Sequence, residues 1–316
     1  MGLLTKLLGR KKVCRGIVSL CFLPQGLSVA IAKYTPENKL ELEFSDFFPV
    51  SNKNEQATTL SRLADEYDLD EFHCHLLLAP ADYRHLTLET PPVTNDEMRE
   101  ALRWKIADLV DFSVEEACID FYHLPDAKHA SSKKMLAAIA SSAAVLKPKI
   151  ELCQQAGLDL EVIDIQETAL RNLATLLPEN DRGVAILHLL PKNGSIIIQK
   201  QGRIYLSRKL DSGFEDLRLD SDIPSLEIND LSLEIQRSLD YVESYYGIPP
   251  ISTLAVIPAP SHTENILSHL NENLSANSRI MDISTILEGD TILADKAQAY
   301  CASVIGATLR HEVSDT

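Results

Sequence analysis

The chain lacks the features that would place it in most enzyme and membrane classes. Its six cysteines are scattered without a C-x-x-C pair. In a chain this long they make no disulfide framework, and they read as reduced thiols of a cytoplasmic protein. No apolar run approaches the ~18–20 residues needed to cross a bilayer. Met1–Lys12 looks superficially like a signal peptide but reads better as a short amphipathic segment, because its charges follow its leucines and no A-x-A site appears. Lys6 stands where a myristoylation signal needs Ser or Thr. There is no P-loop, G-x-G-x-x-G or G-x-S-x-G motif. Basic side chains are scarce, 30 Lys and Arg against 46 Asp and Glu, a formal charge of −16. A dedicated nucleic-acid binder needs a basic footprint, so that class is excluded.

What is present is ordinary core material. Hydrophobic residues make up 45% and charged residues 24% of 316 positions, enough for two packed units at ~150 residues each. The charge is divided unevenly. Residues 1–36 hold six basic side chains and no acid, leaving 24 basic against 46 acidic in the rest. Within residues 1–12, Leu3, Leu4, Leu7 and Leu8 share one helical face beside Lys6, Arg10, Lys11 and Lys12. Such a segment either docks on an anionic membrane surface or is a solubilising end.

The body opens with three strand patterns, Gly16–Leu23, Leu27–Tyr34 and Leu40–Phe48, separated by polar turns. A helix near Glu55–Tyr67 and a strand at His73–Ala79 follow. The same order returns at Val184–Leu190, Ser195–Gln199 and Arg203–Leu210, then a helix at Leu231–Tyr246 and a strand at Thr253–Ile257. Ile235, Leu239, Val242 and Tyr246 give that helix one buried stripe. Later helices are predicted near Glu264–Leu274 and Asp295–Leu309. The duplication predicts two structurally equivalent halves; the actin-like ATPases are built this way, but periodicity does not by itself select that family. Between them lies an insertion with a helix opened by Thr94-Asn95-Asp96-Glu97, striped by Met98, Leu102, Ile106 and Leu109. Trp104 points about 200° from Leu102. It serves either an inter-subdomain or partner contact or a wide helix packed on two sides. Strands at Cys118–Leu124, Met135–Ser141 and Leu160–Ile165 alternate with helices at Val145–Gln155 and Glu167–Leu176.

The stretch Ala101–Phe121, with its aromatic-bearing helix, the break Phe112-Ser113-Val114-Glu115-Glu116-Ala117 and the strand carrying Asp120-Phe121, resembles PilM, the cytoplasmic actin-like protein of type IV pilus assembly. Gly202–Arg208, Glu234-Ile235-Gln236-Arg237-Ser238-Leu239-Asp240-Tyr241 and Ile305–Arg310 are similar to further PilM segments, in the same order along nearly the whole chain. The resemblance implies an α/β, actin-like (ribonuclease H-like, duplicated) two-lobed fold with an inserted α+β subdomain. Residues 13–85 and 158–178 would form the first lobe, 86–157 the insertion and 179–316 the second lobe, after the basic segment 1–12. It implies a PilN-like or MshJ-like inner-membrane partner, whose cytoplasmic segment lies between the first lobe and the insertion. It also implies an indirect link to the pilus motor ATPases and a peripheral position on the inner membrane. Arg103, Trp104, Asp108 and Phe112 are the candidate partner-binding residues.

An actin-like nucleotide site needs an Asp at the first turn of each half, small residues after it, and a Gly-Gly after a late strand. Here Cys21 and His188 stand at the two Asp positions. Phe22, Leu23 and Leu190 replace small residues, and the adenosine loop reads Ile257-Pro258-Ala259-Pro260. No Asp occurs within residues 13–36 or 183–201, so a small misalignment restores neither carboxylate. The expectation is a pseudo-ATPase without a metal or cofactor, in which ATP binding is possible but not expected. His73-Cys74-His75 puts two imidazoles on one strand face, too few for a zinc site without a third ligand. The bland reading is a strand entering the core. The acid-rich Glu215–Asp222 lacks EF-hand spacing and reads as a solvated loop.

Overall fold

A computed structural model describes residues 14–37, 39–50, 52–129, 132–217, 225–287 and 291–310. Strands β1 (Gly16–Leu23), β2 (Gly26–Tyr34) and β3 (Leu40–Pro49) form an antiparallel meander. The first hairpin is tight, with Leu23 paired to Gly26 across Pro24-Gln25. Helix α1 (Lys53–Tyr67) starts where the Asn52 side chain accepts the Glu55 N–H and stops at left-handed Asp68. Strand β4 (His73–Leu77) then runs parallel to β1.

The insertion follows as β5 (Arg84–Glu89), α2 (Asn95–Ile106), β6 (Ala117–His123) and β7 (Met135–Ser142). Its antiparallel sheet has the order β5-β7-β6. The predicted capping box at Thr94 and Glu97 is formed. Met98, Leu102 and Ile106 pack on Ile119, Leu136 and Ala138, a small core of its own. Leu109 does not join that stripe: the helix ends at Ile106, and Leu109 is half exposed. Strand β5 has no counterpart in the sequence reading.

The chain returns to the first lobe with α3 (Ala143–Gln155), β8 (Asp159–Asp164) and α4 (Gln166–Thr175). By packing, α3 belongs to that lobe and not to the insertion, because Cys153 is buried with Cys74, Leu60 and Phe72. The insertion core therefore ends with β7, short of the boundary at 157 expected from sequence.

The second lobe holds β9 (Val184–Leu189), β10 (Gly194–Lys200), β11 (Arg203–Leu210), α5 (Leu226–Tyr246), β12 (Thr253–Val256), α6 (Thr263–Asn273), β13 (Asn277–Ile280), α7 (Ile283–Ile286) and α8 (Asp295–Thr308). The stripe Ile235, Leu239, Val242 and Tyr246 is buried as its spacing requires. Each side chain contributes roughly 1.5–3 kcal/mol by leaving water. The sheets read β3-β2-β1-β4-β8 and β11-β10-β9-β12-β13. They match strand for strand, a meander followed by two parallel strands, so the fold is the duplicated, two-lobed actin-like α/β fold.

Helices α4 and α8 join the lobes. One continuous core holds Cys21 and Leu77 of the first sheet, Ile186 and Ala255 of the second, and Ala169, Leu173, Cys301 and Ile305 of the two helices. The helices touch backbone to backbone. A Cβ on Gly306 would sit 2.1 Å from the Ala169 carbonyl oxygen, and Asn172 Nδ2 donates to the Gly306 carbonyl at 3.0 Å. Gly306→Ala must push the helices apart, at a cost on the order of 1–3 kcal/mol. The expected outcome is a lower urea midpoint with an unchanged m-value; an unshifted midpoint would contradict the close crossing.

Candidate functional site

Two regions bear on function: the junction of the lobes and a cleft beside the insertion. At the junction, Cys21 is buried near the end of β1, and burial pushes its thiol up to about 12. It is a neutral core side chain. His188 lies opposite Ser195 in the β9–β10 pair. Its Nε2–H donates to the Ala299 carbonyl at 2.6 Å, and its Nδ1 accepts from Gln166 Nε2 at 3.1 Å. Gln166 Nε2 also donates to Ser195 Oγ at 2.7 Å. Burial lowers the His188 pKa and keeps the ring neutral. Cys21 is thus a buried thiol, and the His188 imidazole is occupied in tying β9 to α4 and α8.

The turn after β9 is closed by its own chain. The Leu190 N–H donates to Asn193 O at 2.8 Å, and Pro191 has no N–H. The carbonyls of Leu190 and Pro191 accept the Phe214 and Glu215 N–H groups, both at 3.0 Å. Lys192 pairs with Glu215 and Asp216 at 3.3 and 3.2 Å. The rest of the acid-rich loop, 218–222, lies outside the described residues. Beyond β12, a cavity of about 530 Å³ is lined by Pro258, Ser261, Thr263, Asp282 and Asp295. Its carboxylates oppose a phosphate. Among the described residues, no group of three His, Cys, Asp or Glu side chains is arranged to hold a metal ion.

The larger space, about 1480 Å³, lies between the first sheet, the insertion and the end of α8. The sheet contributes Ile17, His73, His75 and Ile163, the insertion Tyr122 and Ile139. Both β8 and β6, the edge strands of their sheets, line it. Its floor is polar and ordered. Asp164, 4% exposed, accepts from the Ile165 N–H at 2.8 Å, from the Thr168 hydroxyl, and from Arg310 Nη1 at 2.9 Å. His75 Nδ1 lies 2.9 Å from the Ala307 carbonyl, so that nitrogen carries the proton and Nε2 is an acceptor. Burial lowers its pKa. Arg171 Nη2 donates to Asn172 Oδ1 at 2.8 Å, and burial lowers the guanidinium pKa. His73 Nδ1 sits 3.2 Å from Glu161. The two imidazoles share a strand face as predicted, each engaged with a different partner.

The four partner-binding candidates do not line this cleft. Arg103 donates to the Val114 and Ala117 carbonyls, and Phe112 packs on the insertion core, so both hold the insertion together. Asp108 and Trp104 are exposed. Trp104 is 78% exposed, which removes the expectation of a helix packed on two sides. The membrane-surface candidates Leu3, Leu4, Lys6, Leu7, Leu8, Arg10, Lys11 and Lys12 lie outside the described residues. Sequence reading missed His75, Asp164, Arg171 and Arg310 as neighbours. They come from β4, β8, α4 and the end of α8, and no local spacing links them.

This geometry defines an actin-like two-lobed protein with a side cleft formed by an insertion. Residues 84–218, which cover the insertion and its return to the lobes, match the family model for the type IV pilus assembly protein PilM. No curated protein matches the sequence significantly. Among solved structures, the PilM–PilN type IV pilus biogenesis complex is similar at a TM-score of 0.72 and 16% identity, over 94% of this chain and 98% of that one. A Bacteroides thetaiotaomicron protein with an actin-like ATPase fold and unknown function is similar at 0.51 and 12% identity, over 92% and 97%. The chain is thus similar to PilM in fold over 94% of its length and in sequence over residues 84–218. No helix among the described residues is long and apolar enough to cross a membrane.

Two of the buried histidines, His75 and His188, make stability pH-dependent. Both have lowered pKa values in the fold. The unfolded chain takes up protons on them as pH falls through about 6.5, while the folded chain keeps them neutral. Their contribution is full above that value and is lost as pH falls toward the folded values. Urea midpoints measured from about pH 7.5 down to about pH 5.5 are expected to fall, and His188→Gln is expected to flatten that slope.

Proposed function

We propose that this chain is a PilM-like scaffold of type IV pilus assembly whose cleft receives the cytoplasmic segment of a PilN-like inner-membrane protein. The observation that carries this reading is the cleft itself. It is open between two edge strands, walled by apolar side chains and floored by ordered polar groups. An extended segment can add main-chain hydrogen bonds along an edge and seat alternate side chains in the walls. The PilM family match over 84–218 covers one wall and the strand opposite. The similar solved structure is a complex of PilM with PilN, which supports the same class of partner here.

The finer reading is the MSHA-pilus member of this group, MshI, with an MshJ-like partner, and it is supported by the segments of resemblance in the sequence. The scaffold works without nucleotide chemistry. A buried thiol at Cys21, a fully bonded imidazole at His188 and Pro258 in the adenosine loop supply neither a Mg²⁺ anchor nor a group to position water. Residues 1–12 hold the chain at the anionic inner leaflet, where it links the partner indirectly to the motor ATPases.

Calorimetric titration with the cytoplasmic segment of the partner tests the cleft. Ile163 is 39% exposed on its wall, so Ile163→Arg is tolerated by the fold and is expected to lower affinity more than tenfold, about 1.4 kcal/mol or more. Trp104→Ala is expected to stay near the parent value; the reverse pattern would move the site to the outer face of α2. For the nucleotide site, Mg·ATP is expected to leave the melting temperature unchanged and to yield no phosphate above background. A clear rise in melting temperature would favour a nucleotide-regulated protein instead.

A further inference from the structure

We propose that residues 1–12 of this chain are themselves a ligand of the cleft, folding back into it in competition with the partner segment until an anionic membrane draws them out. This regulation rests on the cleft reading above.

The described chain begins at the mouth of the cleft. The Arg15 carbonyl accepts the Tyr34 N–H at 2.9 Å, and both Tyr34 and Ile17 line the cleft. Twelve residues reach up to ~40 Å when extended and ~18 Å when helical, so either conformation keeps the leucines within reach of the walls. The chemistry matches at both levels. Leu3, Leu4, Leu7 and Leu8 meet walls that present Leu40, Ile139, Leu146, Ile163 and Leu309. Lys6, Arg10, Lys11 and Lys12 meet a rim carrying Asp120 and Glu161, solvent-accessible carboxylates that pair with Arg99 at 2.9 Å and His73 at 3.2 Å and that a basic segment would share or take over. On the floor, Arg310 is already neutralised by Asp164. A tethered segment has an effective concentration in the millimolar range, so an intrinsic affinity of only ~0.1 mM lowers the apparent affinity of any competitor roughly tenfold.

The same leucines and cations suit an anionic bilayer, so the segment has two destinations and the membrane decides between them. Competent clefts are then found at the membrane, where the partner is.

Cys118 reports on this directly, because it is exposed on β6 and lines the cleft. In the full chain, its alkylation rate is followed by peptide-resolved mass spectrometry. Leu4→Asp with Leu7→Asp, which touches none of the described core, is expected to speed Cys118 alkylation roughly tenfold and to tighten partner-segment binding by a similar factor. Phosphatidylcholine vesicles containing phosphatidylglycerol are expected to reproduce the faster alkylation in the parent chain, and pure phosphatidylcholine vesicles are not. Equal alkylation rates in parent and variant overturn the proposal. Protection that grows with protein concentration overturns it too, because the segment would then act between copies. If no partner segment binds either form, the function proposed above fails, while the Cys118 rates still decide this one.

Discussion

The crossing of α4 and α8 is the contact on which the rest depends. Gly306 lies against the Ala169 carbonyl so closely that no side chain fits between them. Because the helices meet at the backbone, their flanking residues enter one core with strands from both sheets. The lobes therefore share apolar interior and do not merely touch at a hinge. This also explains why α8, last in the chain, contributes to the first lobe and ends in the cleft. Thr308, Leu309 and Arg310 line it, and Arg310 neutralises the buried Asp164.

The same junction is tied together by polar side chains. Gln166 opens α4 and bonds both His188 and Ser195, while the other nitrogen of His188 is held by Ala299 of α8. A carboxylate at position 188 would lie in a site that disfavours charge, since burial already lowers the imidazole pKa there. Polar side chains at this junction satisfy one another and hold the two lobes and both helices together.

The insertion opens a new space outside that closed junction. It enters after β4 and returns through α3 to β8, so its edge strand β6 faces the edge strand β8 of the first sheet across the cleft. The apolar face of α2 is spent on the insertion's own core. Its opposite face, with Trp104, stays in solvent, while β6 and β7 turn toward the cleft. Arg103 and Phe112 then act within the insertion, one bonding the carbonyls before and at the start of β6, the other packing on the core.

How far the sequence reaches is clearest from individual elements. The meander after Gly16, its repeat after Val184, the Thr94–Glu97 capping box and the stripe on α5 are local patterns of period and punctuation, and these were legible. Strands β5 and β13 were not, because their short, mixed sequences are strands only by pairing with β7 and β12. The assignment of α3 to a lobe was hidden as well: burial of Cys153 beside Cys74 is a contact between elements distant in sequence. The sequence by itself determined the duplicated architecture, since period and turn punctuation repeat in the two halves. Only the tertiary structure decided the cleft. Its floor joins His75, Asp164, Arg171 and Arg310 from four separate elements, and packing decides which partners each of them meets.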